Sequence, residues 1–342
     1  MKIIIRTILI ITIFIGFFNI SFAKDTRDAG YGWLELSKEF HLLYEKNAFN
    51  ESLKVAIEAL KIATENANSK DYDIIESLIN LAIVYDTLAQ YDNAEALYLK
   101  ALKILHEKGK EDSLDTSIIL YHFAEHYFKL SKFSISEQYF KKSLSIEEKL
   151  LGKEHIDLIR ILVSLGLQYN IQDMNTKSEM IFNRALKISE KRLTKNNDKV
   201  VPILQGITAL YTKQKRYKEA EPLVNRALSI LKNDINLSNP RLAAMLTIKA
   251  RICEYNHEYK EVERIYERIF SMTETTYGKK HPEYGVVLRN FAVFHMNRGN
   301  YQKAKTMLND SISILKNALG LENYNTKLAL RILMMLAERM KK

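Results

Sequence analysis

Cysteine is almost missing: the 342 residues hold one, Cys253. No internal disulfide can form, so packing alone must hold the fold. Proline (4) and glycine (11) are scarce, which argues against both a turn-rich β architecture and a disordered chain. The glycine-rich signatures of phosphate and dinucleotide binding, G-x-x-x-x-G-K-[ST] and G-x-G-x-x-G, do not occur, nor does the nucleophile elbow G-x-S-x-G. No cofactor is therefore expected. What remains is abundant apolar and charged material, 47% and 27% of the chain. Leu, Ile, Ala, Lys and Glu dominate it, a composition that favours helices.

The first 23 residues, "MKIIIRTILIITIFIGFFNISFA", stand apart. Lys2 and Arg6 precede an apolar run from Ile8 to Phe18, and Ser21-Phe22-Ala23 places small residues at the −3 and −1 positions of a cleavage site. This is the pattern of a secretory signal peptide, too short in its apolar core for a span of roughly 20 residues. Cleavage after Ala23 predicts an exported, periplasmic or secreted protein. An uncleaved leader would make an envelope-anchored structural protein instead, and only then would the membrane be a partner. The formal charge is +10 at neutral pH. A basic chain often meets nucleic acid. Export speaks against that and points to acidic proteins, anionic lipid or wall polymers.

The mature part repeats. Stepping by 42 residues from Tyr91 reaches Phe133, Asn175, Tyr217, Tyr259 and Tyr301, and stepping back reaches Phe49. A leucine column runs Leu36, Leu78, Leu120, Leu162, Leu204, Leu246, Leu288 and Leu330. A tyrosine column runs Tyr85, Tyr127, Tyr169 and Tyr211, then Cys253 and His295. Each unit contains two helical patterns: Leu78, Leu81, Ala82 and Tyr85 share one face, and Ala94, Leu97, Tyr98, Ala101 and Leu102 share another. A helix pair of this size cannot bury its apolar face alone, whereas stacked pairs can, so the pattern predicts an α-solenoid. Seven units cover residues 33–318 after a short segment at 24–32. Residues 319–342 form a capping helix whose polar content suits a solvated end. No linker is long enough to divide the mature chain. Asn175 breaks the aromatic column, so a looser turn is expected in the fourth unit. Pro240 and Pro282 fit the first turn of a helix.

The columns L-x2-L-A-x2-Y and Y-x2-A-x3-Y-x2-A resemble the tetratricopeptide repeat. The 42-residue period, the connectors "LGKEHID" (151–157) and "YGKKHPEYG" (277–285), and "AEPLVNRALSI" (220–230) resemble its kinesin-light-chain-like variety. The resemblance implies an all-α, right-handed solenoid with no enzymatic activity, binding a protein or peptide in a groove lined by the first helix of each unit. It also implies that His155 and His281 are structural turn residues. Nucleic acid and small-molecule substrates are not expected. Carried onto this chain, the groove positions include Tyr121, Phe128, Arg160, Asn170, Arg251, Tyr255, Arg289 and Arg331. Asn290, like Asn80, falls where such repeats place an asparagine that bonds a peptide backbone. The arginine row fits an acidic partner segment, because guanidinium pairs bidentately with carboxylate.

Two other constellations compete with this reading. "YHFAEHYF" (121–128) contains His122-Phe-Ala-Glu125-His126, the H-x-x-E-H of an inverted zinc-peptidase helix. The repeat explains it more simply: two variable positions beside core columns are filled by histidine, giving surface or groove histidines, and no third ligand is recognisable. Cys253 and His295 imitate a nucleophile and its base, yet both fall in the tyrosine column, so they belong to the interior, where cysteine is inert.

Overall fold

The computed structural model describes residues 31–66, 70–194, 197–232, 240–321 and 323–341. The signal segment, the cleavage site and most of the short segment at 24–32 lie outside the described residues. Among the described residues there is no strand, and none of the helices is long and apolar enough to cross a membrane. The helices fall into two compact units.

The first unit holds α1 (Tyr31–Glu45), α2 (Phe49–Glu65), α3 (Asp71–Thr87), α4 (Tyr91–Glu107), α5 (Leu114–Lys129), α6 (Phe133–Leu151), α7 (Leu158–Ile171) and α8 (Asn175–Arg192). The second holds α9 (Val201–Lys213), α10 (Tyr217–Leu231), α11 (Pro240–Tyr255), α12 (Tyr259–Tyr277), α13 (Pro282–Asn297), α14 (Tyr301–Leu319) and α15 (Tyr324–Met340). Within each unit every odd helix packs on the even helix that follows, and that even helix packs on the next odd one. These are the helix pairs that the 42-residue period requires, with α15 as an unpaired final helix.

The two helices of a pair are buried differently. α4 buries one stripe, Ala94, Tyr98, Ala101 and Leu105. α7 is buried along 12 of its 14 residues, all but Arg160 and Ile171, because it lies among its own partner α8, the preceding even helix α6 and the odd helix α5. Each large apolar side chain so enclosed contributes about 1.5–3 kcal/mol. Small residues allow the close approach. Gly166 of α7 lies so near the Phe182 ring of α8 that a β-carbon there would stand 2.7 Å from it.

The turns inside the pairs share one device. Asn47, Ala89, Ser131, Asp173, Lys215, His257 and Gly299, each 42 residues from the next, all have positive φ, between 58° and 77°. The following amide then reaches back to the tyrosine-column carbonyl: Gln90 N to Tyr85 O at 2.8 Å, Lys132 N to Tyr127 O at 2.9 Å, Arg216 N to Tyr211 O at 2.8 Å. This is the Schellman closure of a helix C-terminus. The expected looseness of the fourth turn is not found. Asp173 adopts φ 60° and Met174 N bonds Tyr169 O at 2.9 Å, because backbone hydrogen bonds close the turn and the aromatic at the next helix start is not needed. Pro282 occupies the first turn of α13 as expected, and Pro240 begins α11. The connector histidines are turn residues too. The Nδ1 atoms of His155 and His281 accept from the amides of Asp157 and Glu283 at 3.3 and 3.2 Å.

Candidate functional site

The H-x-x-E-H helix is α5, and its histidines are not surface groups. His122 and His126 are 2% and 0% exposed. His126 shares its column with Val84, Gln168, Leu210, Ile252 and Phe294, every one of them buried, so the position belongs to the core rather than beside it. Its Nδ1 pairs with Asp86 Oδ1 of α3 at 2.6 Å, and Asp86 Oδ2 accepts the Tyr98 hydroxyl at 3.2 Å. Glu95 lies 3.8 Å from Nε2 and accepts the Tyr127 hydroxyl at 2.7 Å. Glu125, the would-be general base, instead accepts the Tyr121 hydroxyl at 2.7 Å. Burial holds the His122 imidazole below its usual range. Among the described residues no three His, Cys, Asp or Glu side chains gather where they could hold a metal ion. The arrangement is a polar joint between adjacent helix pairs.

The sequence-predicted groove residues of the first unit are mostly enclosed. Tyr121 is 1% exposed; its hydroxyl meets Ser164 Oγ of α7 at 3.0 Å, and the Arg160 guanidinium lies 4.7 Å from its ring centre. Arg160 is half-buried and pairs with Glu147 of α6. Asn170 is fully buried. Phe128 is half-buried against the Phe133 ring, 5.7 Å away. The expected place in a binding groove is thus corrected for Tyr121 and Asn170, which are enclosed. Neighbouring odd helices approach closely enough to enclose them.

The second unit divides in the same way. Arg289 is 2% exposed, and its Nη1 donates to Asn325 Oδ1 at 2.9 Å. It is a joint between α13 and α15, not a solvated arginine. Asn290 is half-buried, with Oδ1 accepting from Arg289 Nε at 3.4 Å. Arg331 on α15 is exposed. Arg251 is half-buried on α11, and one turn later Tyr255 is 52% exposed. Tyr255 stacks on Tyr217 of α10, ring centres 4.4 Å apart and planes 29° apart. Glu254 accepts from Asn297 Nδ2 of α13 at 3.1 Å. Arg251 and Tyr255 lie one turn apart on α11, and the structure adds Tyr217, which sequence reading treats only as the turn aromatic. Its signal was available: the tyrosine at 217 lies 38 residues before an aromatic in the last inward position of the next unit.

Cys253 and His295 are interior, 0% and 1% exposed. Burial pushes the Cys253 thiol up to about 12 and the His295 imidazole down to about 4. A thiol held protonated is a poor nucleophile, which agrees with the packing role.

A family model for the tetratricopeptide repeat matches residues 41–107, 157–233 and 241–317. Solved structures share the fold. A tetratricopeptide repeat protein from Parabacteroides merdae is 17% identical, with 90% of this chain and all of that one covered and a TM-score of 0.56. A Rap protein in complex with competence and sporulation factor is 14% identical, covering 93% of this chain and 89% of that one at a TM-score of 0.59. A putative kinesin light chain from Podosopora anserina is 16% identical, covering 59% and 95% at a TM-score of 0.50. No curated protein matches this chain.

Proposed function

The chain belongs to the tetratricopeptide repeat family, with the long, kinesin-light-chain-like unit, and from that premise we propose that it is an exported, non-catalytic scaffold holding a segment of a protein partner against its odd-numbered helices. The fold is one typical of protein–protein interaction, and tetratricopeptide repeat proteins are generally not enzymes. One observation carries the reading. Although most odd-helix positions are enclosed, one column stays open at the repeat period: Thr87, Ile171 and Lys213 are half-buried, and Lys129, Tyr255 and Asn297 are exposed. One turn earlier Arg251 is half-buried, in a column whose Leu167 and Ala209 are enclosed. Packing has no use for an exposed tyrosine beside an arginine, whereas interfaces are enriched in both. Export rests on the leader "MKIIIRTILIITIFIGFFNISFA", and the partner's acidity on Arg251, half-buried one turn before Tyr255.

The test has two arms. Mass spectrometry of protein from the native host should find a mature N-terminus at Lys24; an intact leader in a membrane fraction refutes export. A photo-crosslinking amino acid at position 129 or 255 should join the protein to a defined segment of one partner, competed by that segment as a synthetic peptide. Crosslinks confined to positions on the even helices refute the odd-helix face as the binding surface.

A further inference from the structure

α15 keeps the register of an odd helix, yet among the described residues no even helix follows it. It packs on α14 and α13 and buries Leu328, Ala329, Ile332 and Leu336 against them. The opposite side is open. In α7 the column of closest approach to the even partner is Gly166, against Phe182. At the repeat period that column holds Phe40, Ala82, Ala124, Gly166, Thr208, Ala250 and Ala292, all of them buried. In α15 it holds Met334, 67% exposed. A helix that merely caps a solenoid in water has no use for a methionine there. The expectation of a solvated end is met only on the flanks. Leu319, Leu321 and Met340 are exposed as well, so large apolar side chains gather outside the core in the final stretch of the chain. Leu330 (half-buried), Met334 and Ala337 (both exposed) form one apolar strip at helical spacing. Beside the strip run Arg331 and Glu338, both exposed. They stand two turns, about 10 Å, apart along the axis, too far to pair with each other.

We propose that this face of α15 pairs antiparallel with α15 of a second copy, about a two-fold axis beside Met334. A two-fold contact needs a patch that complements itself, and this one does. The axis sets each residue opposite the one equally far on the other side of Met334 in the second copy. Met334 meets its own equivalent. Leu330 comes over Ala337, large against small. Arg331 comes over Glu338, and the symmetry forms that ion pair twice. Because the axis stands perpendicular to the plane of the two helices, strip meets strip and charged flank meets charged flank. A parallel pair would instead set Arg331 on Arg331 and Glu338 on Glu338. Lys327 and Lys341, both exposed, come near each other only at the two ends, where water screens them. Methionine suits such a contact, since its flexible thioether adapts to an irregular surface. One helix from each copy makes an interface at the small end of the range, so a dissociation constant of about 1 μM or weaker is expected. The inference goes beyond the scaffold reading: the pairing does not depend on what the odd helices hold, but it would present two binding surfaces together and add avidity.

The experiment is sedimentation equilibrium of the full mature chain across the micromolar range. Wild type should pass from the protomer mass to twice that mass as concentration rises. M334K should weaken pairing by about a hundredfold. E338R sets arginine against arginine and should weaken it by about tenfold. The swap R331E/E338R restores opposite charges across the axis and should return the dissociation constant to within about threefold of wild type. A helix that mattered only for stability would not recover on the swap. In M334C a short bis-maleimide should join two copies, because the axis brings position 334 beside itself. Cys253 is buried and should not react, and L99C, exposed on α4, should react without joining copies. Melting curves identify folded variants, and should M334K unfold α15, the charge swap carries the test. A wild type that stays monomeric, an M334K variant that pairs as tightly as wild type, or a swap no tighter than E338R overturns the proposal. So does a mass that keeps rising beyond the dimer, which marks stacking of α15 on a different surface of the next copy. The crosslinks at positions 129 and 255 test the scaffold reading separately, since neither residue lies on α15.

Discussion

Replacing His126 with leucine should destabilise the protein even though leucine suits the position. The same column holds Leu210 and Ile252, so shape and volume are nearly preserved, and a volume-conserving swap alone costs less than about 1.5 kcal/mol. The damage falls on Asp86. Its side chain is 1% exposed and takes its closest hydrogen bond, 2.6 Å, from His126 Nδ1. After the change only the Tyr98 hydroxyl, at 3.2 Å, still reaches it. Removing one partner of a buried hydrogen bond leaves the other unsatisfied at a cost of about 1–3 kcal/mol, whereas replacing both partners with apolar groups is often close to neutral. The single variant H126L should therefore lose about 1–3 kcal/mol, and the double variant D86L/H126L should recover most of it. Trp33 is the chain's one tryptophan and bonds Ser77 of α3 at 2.7 Å, so its fluorescence reports unfolding of the affected helix pairs. In urea a loss of this size moves the midpoint down by roughly 1 M. An H126L midpoint equal to wild type, or a double variant weaker than the sum of the singles, would show that Asp86 does not depend on His126.

Three further outcomes follow from particular residues. His295 is buried with its pKa lowered to about 4, against about 6.5 in an unfolded chain. The unfolded state alone takes up this proton between those values, so stability complete above about pH 6.5 falls by about 3 kcal/mol as the pH drops toward 4. The variant H295Y, restoring the column's usual residue, should flatten the acid side of a plot of Tm against pH; an unchanged slope contradicts the assignment. Gly166→Ala should gain about 1 kcal/mol of helix propensity yet lose more than that by crowding the enclosed Phe182 ring. Thermal melts should show a net loss, relieved by adding Phe182→Leu. Lys215→Gly relieves a left-handed residue at φ 62° and should stabilise by about 0.5–1 kcal/mol, raising Tm by roughly 2 °C. A lowered Tm would mean that the turn uses the lysine side chain.

The period, the helix pairing and the core columns were legible because each follows from local spacing. A 42-residue recurrence of leucine, alanine and aromatic positions leaves one way to bury them, in stacked helix pairs. The interior place of Cys253 followed from its register, and the turn role of the connector histidines from the family resemblance. Burial on the inward face did not follow, because it depends on how closely successive odd helices approach. That distance depends on side chains about 40 residues apart: Tyr121 meeting Ser164, Arg289 meeting Asn325, Asn297 meeting Glu254. The same separation hid the joint of His126 with Asp86, which a reading of α5 alone turns into half of a metal site. It hid the stack of Tyr217 on Tyr255 as well. Sequence spacing decides which face a side chain shares, but only the packed neighbours decide whether that face meets water. For that reason Arg331 is left exposed and Arg251 half-buried beside the Tyr255–Tyr217 stack, while Arg160 and Arg289 are taken up in the joints between helices.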